Sequence, residues 1–262
     1  MVEALLDKGW ARIPSEQSVL DWAQEARRVA LDRVNDPEEQ AKWLQCDGTW
    51  FVGVDTLPND PTGAVGQAGR LRGAAMAAAR NLYGDLPLHP GQVSVTYPGY
   101  PKPRHGEGEA AFRYRVKRDA AHVDGLLAVG EARQRMLRER HAYILGLPLT
   151  PTSPGASPFV IWDGSHRIMR TMFADHLGGH PESDWANIDL TEAYQAARRA
   201  VFETCKRIEI NAQPGEAYLV HRMALHGVAP WAADAKAAPE GRMIAYFRPE
   251  LPVGSRDWLD LP

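Results

Sequence analysis

Along the chain, the spacing of apolar positions changes character near residue 90. In SEQSVLDWAQEARRVALDRV, residues 15–34, Val19, Leu20, Trp22, Ala23, Ala26, Val29, Ala30 and Val34 recur at helical spacing, which predicts one helix capped by Ser15. GQAGRLRGAAMAAARNLYG, residues 66–84, predicts a second helix, closed by Gly84 in the left-handed conformation. Residues 43–63 between them carry Asp, Asn, Pro and Gly punctuation and read as loop with one short strand at most. From residue 91 the runs become strand-length: VSVTY, RDAAHVDGL, HAYILGLPL, SPFVIW, EAYLVH and RMIAYF, each bounded by Pro, Gly or Asp. One helix over Leu190–Ile208 interrupts them. Helices followed by several short strands predict a mainly β protein with flanking α, an antiparallel sandwich or barrel of the jelly-roll type. Residues 1–262 are expected to form one domain, with a mainly helical portion over 1–90 packed on a β core over 91–250.

The first candidate chemistry lies in AHVDG, residues 121–125. On a strand, His122 and Asp124 share a face, so an imidazole nitrogen and a carboxylate oxygen converge. A second histidine from a neighbouring strand would complete a 2-His-1-carboxylate set, which holds Fe(II) on one face and leaves the others open. An H-x-D pair alone is a weak signal, and a polar strand edge is its bland reading. Two candidates for the third ligand stand in VHRMALHGVAP, His221 and His226. His226 is favoured because Gly227 follows it and lets backbone approach closely; His221 reads as a strand histidine bonded to its neighbours. Arg242 opens the strand RMIAYF with Ile244 and Tyr246 on its face, and its planar fork suits a dicarboxylate cosubstrate.

Taken in order, AHVDG, PFVIWDGSHRI, QPGEAYLVHRMALHGVAP and RMIAYF resemble the phytanoyl-CoA dioxygenase family of Fe(II)- and 2-oxoglutarate-dependent oxygenases. The resemblance covers roughly residues 91–250 and implies a double-stranded β-helix, the cupin-like form of the jelly roll, with helices before it. It implies His122, Asp124 and His226 as iron ligands and Arg242 as the partner of the far carboxylate of 2-oxoglutarate, with O2 as the oxidant. His166, in DGSHR, falls in a loop motif of the family and is read as structural. The sequence departs from the family in Glu216, where Asp is commoner, and in the Ala-rich stretch between His226 and Arg242. Halogenating relatives replace the carboxylate ligand with a small residue, so Asp124 implies hydroxylation.

The substrate is less legible. Strand alternation carried back from His122 turns Arg118 inward, which suggests an anionic substrate group. Tyr97 and Trp162 are further candidate pocket residues, and the Gly-containing stretch 104–120 is a candidate lid. A net charge of −3 with scattered signs gives no footprint for nucleic acid or anionic membrane, so the expected partner is a small organic molecule. Two cysteines, Cys46 and Cys205, and no apolar leader or spanning segment lead to the expectation of a cytoplasmic protein. Two other readings stand beside the oxygenase: a cupin-like metalloenzyme without 2-oxoglutarate, and a non-catalytic binding protein on the same fold. The sequence is silent on oligomeric state.

Overall fold

The computed structural model describes residues 1–252 and 257–262. Twelve strands follow one another among these residues. The first six are β1 (Trp10–Ile13), β2 (Leu44–Gln45), β3 (Trp50–Phe51), β4 (Gln92–Thr96), β5 (Leu126–Val129) and β6 (Gln134–Leu137). The others are β7 (Tyr143–Pro148), β8 (Phe159–Trp162), β9 (Arg207–Ile210), β10 (Ala217–His221), β11 (His226–Val228) and β12 (Arg242–Phe247). All pair antiparallel, in a seven-stranded sheet of order β1-β10-β7-β12-β4-β3-β2, a three-stranded sheet β11-β8-β9 and a hairpin β5-β6.

Two-residue alternation explains how the sheets stack. Ile144 on β7, Tyr218 and Val220 on β10, and Ile244 and Tyr246 on β12 join Phe159 and Ile161 of β8 and Ile210 of β9 in one buried cluster. Its members come from both larger sheets, so the two face each other across it. The intervening residues Tyr143, Leu145, Leu147, Leu219, Met243, Ala245 and Phe247 turn the other way into a larger cluster under the helices. Those helices are α1 (Val2–Lys8), α2 (Gln17–Val34), α3 (Pro37–Trp43), α4 (Ala74–Tyr83), α5 (Glu109–Lys117), α6 (Ser165–Leu177), α7 (Thr191–Thr204) and α8 (Asp257–Asp260).

Several expectations change. Helix α2 begins at Gln17 behind Glu16, with no side-chain cap from Ser15. Only the second half of the 66–84 stretch is helical, and Gly84 at its end takes a positive φ of 81° with an extended ψ of −178°, not the left-handed helical conformation. The N-terminal portion is not purely helical, because β1 forms the outer strand of the large sheet beside β10. The predicted helix over Leu190–Ile208 stops at Thr204, and Arg207–Ile210 become β9. The largest correction concerns RDAAHVDGL, which is not a strand: α5 runs up to Lys117, a turn follows, His122 makes one isolated antiparallel bridge to His226, and a strand begins only at Leu126. Helix α5 buries no residue, so it carries no apolar stripe for a periodicity reading to find. Its support is electrostatic, with Glu109 in the first turn, Arg115 and Lys117 in the last, and a Glu109–Arg113 pair at 2.7 Å.

Candidate metal centre

The turn after α5 is what presents His122. Asp119 and Ala120 both take positive φ, 50° and 53°, a conformation that costs a non-glycine residue about 1–3 kcal/mol. Arg207 of β9 holds the turn with a two-pronged grip on Asp119, Nε to Oδ2 at 2.6 Å and Nη2 to Oδ1 at 3.0 Å. The chain then meets β11. The His122 amide donates to the His226 carbonyl at 2.8 Å and the His226 amide donates to the His122 carbonyl at 3.0 Å. Gly227 makes this approach possible, because a Cβ there would sit 2.1 Å from the Asp119 carbonyl oxygen. The two histidines are thus brought together by main-chain bonds.

His122 and His226 carry the same orienting bond. Nδ1 of His122 lies 3.0 Å from the Ala120 carbonyl, and Nδ1 of His226 lies 2.9 Å from the Ala224 carbonyl. A carbonyl only accepts, so each Nδ1 bears a proton, and the neutral form of each ring keeps its Nε2 lone pair for a ligand. Both lone pairs face Asp124, with His122 Nε2 at 3.2 Å from Oδ1 and His226 Nε2 at 3.6 Å from Oδ2. Ligand atoms on one face of an octahedral first-row ion stand about 3 Å apart, close to these separations. Among the described residues this is the one group of three or more His, Cys, Asp or Glu side chains able to hold a metal, its donor atoms lying within 4.8 Å of one another.

Burial works to raise the Asp124 carboxyl, but the charge beside it, that of Arg248 first, outweighs burial and holds the group well below the usual carboxylate range. Arg248 Nη1 lies 3.5 Å from Asp124 Oδ2. His226 is buried and stacks on Phe159 at 5.3 Å between ring centroids, whereas the His122 side chain is 51% exposed. The three donors form one wall of a cavity of about 210 Å³, otherwise lined by Trp50, Val52, Ile144, Tyr246 and Arg248 among others.

The expected site residues divide. His122, Asp124 and His226 converge although no strand carries the first two. Arg242 shares a face with Ile244 and Tyr246, as alternation requires, and is buried with its Nη1 lacking any partner. It lines a separate, tiny cavity with Tyr218 and Ile244, and the Tyr218–Tyr246 hydroxyl bond, 2.8 Å, stands between that cavity and the triad. Arg118 is a correction: with α5 in place of a strand its inward parity disappears, and its guanidinium stacks 4.2 Å over Phe202. Tyr97 and Trp162 are not among the residues that line the cavity beside the triad. On β4 it is Gln92 and Ser94 that line the cavity, and on β8 it is Phe159. Tyr97 and Trp162 have the opposite parity and pack into the outer cluster, Trp162 edge-on to Phe202. The stretch expected as a lid contains α5.

Arg248 was not expected. It continues the series 242, 244, 246 by one more step of two, so alternation past the end of RMIAYF would have found it. His166 and His221 form a second pair, with ring centroids 4.9 Å apart, beside Arg170 instead of a carboxylate.

No family model matches the chain, and no curated protein does. Solved structures do. The non-heme alpha ketoglutarate dependent carbocyclase SnoK from nogalamycin biosynthesis aligns over 94% of this chain and 82% of its own, at 12% identity and a TM-score of 0.51, which shows a shared fold. The epimerase SnoN in complex with Fe3+, alpha ketoglutarate and nogalamycin RO is similar at 15% identity and TM-score 0.48, over 100% of this chain and 88% of its own. EctD from S. alaskensis, with 2-oxoglutarate and 5-hydroxyectoine, is similar at 16% identity and TM-score 0.47, over 94% and 73%. No helix among the described residues is long and apolar enough to cross a membrane.

Proposed function

We propose that the protein is a non-haem Fe(II)- and 2-oxoglutarate-dependent dioxygenase that hydroxylates a small organic substrate. The observation that carries this reading is the convergence of two Nε2 lone pairs and one carboxylate, each imidazole held by an Nδ1–H bond to the carbonyl two residues before it. In the same reading the two facing sheets are a double-stranded β-helix within a single domain. Fe(II), 2-oxoglutarate and O2 together supply the oxidation of a C–H bond. Among the chain's own groups, Asp124 and the two histidines hold the metal, and the apolar cavity wall positions the substrate and keeps water out. The buried, unpartnered Nη1 of Arg242 would receive the far carboxylate of the cosubstrate, provided the Tyr218–Tyr246 pair moves aside. A carboxylate at position 124 fills the coordination place that a halide would need, which favours hydroxylation.

That tyrosine barrier is also the observation favouring a second reading, a metalloenzyme on the same fold that uses no 2-oxoglutarate. One anaerobic titration separates them. The oxygenase gives a visible charge-transfer band on adding 2-oxoglutarate to the Fe(II) protein, weakened in Arg242→Ala and absent in Asp124→Ala. Full Fe(II) binding with no such band and no succinate release selects the second.

A further inference from the structure

The cavity beside the triad has polar atoms that satisfy one another. Gln92 donates to the Val52 carbonyl, Trp50 Nε1 donates to Ser94 Oγ at 3.0 Å, and the Tyr246 hydroxyl is bonded to Tyr218. Arg248 is the exception. Its Nε is buried without a partner, and among the described residues its guanidinium has one near anion, Asp124, at 3.5 Å through Nη1 alone. Glu139 is close enough to feel its charge, but the Glu139 carboxylate is held by His141 Nε2 at 3.0 Å. The Arg248 main chain is fixed from both sides, its amide donating to His89 Nε2 at 2.9 Å and its carbonyl accepting from His141 Nδ1 at 2.9 Å. Here, then, is a preorganised cation with donors to spare, in a cavity whose other walls are mainly aliphatic and aromatic and whose Gln92 and Ser94 are already bonded.

We propose that Arg248 is the anion-recognition residue of this cavity, and that the substrate is a compact apolar molecule carrying one carboxylate. The proposal rests on the metal reading of the triad in one respect: a bound cation draws Asp124 away from Arg248 and releases its donors. The far end of the cosubstrate is the competing occupant. Arg248 touches the ligand carboxylate itself, which is too near the metal for the remote end of a five-carbon diacid that chelates through its other end. The small cavity excludes large scaffolds at this position, since sites for drug-sized ligands run to about 300–1,000 Å³.

Benzoate and its neutral isostere benzamide are the probes, with calorimetry on the Zn(II)-loaded full chain as readout. Wild type is expected to prefer benzoate at least 10-fold, which is about 1.4 kcal/mol. Arg248→Gln should erase the preference, Arg248→Lys should keep part of it, and Arg242→Gln should leave it intact. Metal-free Asp124→Asn, in which the competing charge is gone, should bind benzoate without zinc and lose it in the Asp124→Asn/Arg248→Gln double variant. Zinc binding to wild type is measured separately, so failure of the metal reading is seen as such while the Asp124→Asn arm still decides on Arg248. Retention of the preference in Arg248→Gln, absence of benzoate binding in every form, or a loss in Arg248→Gln that falls on 2-oxoglutarate while benzoate is spared would each overturn the proposal.

Discussion

Among the described residues two histidine pairs stand at nearly equal ring separations, 4.5 Å for His122–His226 and 4.9 Å for His166–His221, and only the first has a carboxylate beside its ring nitrogens. In the first, both Nδ1 atoms are spent on carbonyls and both Nε2 atoms look at a carboxylate. In the second, His221 Nδ1 accepts from the Met223 amide and Nε2 faces Arg170 Nη2 at 3.0 Å, while His166 Nε2 is turned to the Leu6 carbonyl. Burial and the neighbouring Arg222 hold His221 well below the ordinary imidazole value, and burial does the same to His166 more mildly. Proximity of imidazoles is therefore no sign of a metal site. What decides is the sign of the neighbouring charge and which ring nitrogen the backbone occupies.

Asp124→Ala breaks the comparison outright, since it leaves the first pair with an arginine and no carboxylate beside it, as in the second. Metal affinity measured by calorimetry should fall more than about 100-fold, beyond the 10–100-fold typical of outer-shell changes, whereas His221→Ala should leave it unaltered. Gly227→Ala attacks the same centre through the backbone. The added methyl meets the Asp119 carbonyl at 2.1 Å, so chemical unfolding should show a loss of about 1–3 kcal/mol together with weaker metal binding.

The second pair should show itself in acid. A folded-state imidazole pKa below the ordinary value of about 6.5 costs nothing at high pH, where the ring is neutral in both states. As pH falls through 6.5 the unfolded chain takes up the proton first. Stability should drop below pH 6.5 with a slope approaching about 1.4 kcal/mol per unit from His221 and a smaller one from His166, and His166→Gln should make the drop shallower. The smallest effect is expected of Arg118→Ala, which removes only the stacking over Phe202. It should cost about 0.5–1 kcal/mol in thermal unfolding and leave metal and benzoate binding untouched.

Much of this was legible in the sequence. Five of the six predicted strands are present within a residue or two at each end, because β4, β7, β8, β10 and β12 are apolar runs punctuated by Pro and Gly. The choice of His226 over His221 rested on Gly227, and the contact of Gly227 with Asp119 is the physical content of that choice. The conformation of the residues before His122 is not legible in the sequence, because an exposed charged helix such as α5 leaves no periodic trace and the positive-φ pair Asp119–Ala120 has no glycine to announce it. With α5 unseen, parity was carried through a segment that has none, and Arg118 was turned the wrong way. Arg248 was missed for the opposite reason, since the alternation of β12 was stopped one step early at the strand's last apolar residue.

The paired amide bonds between His122 and His226 have a kinetic consequence. They join positions 226 − 122 = 104 residues apart, so the centre closes a long loop and forms only when non-local contacts do. The two histidine amides should therefore exchange with solvent deuterium together, at a rate set by the opening that parts β11 from the turn before Asp124. That exchange gives a clock for assembly of the site in which no metal, substrate or turnover takes part.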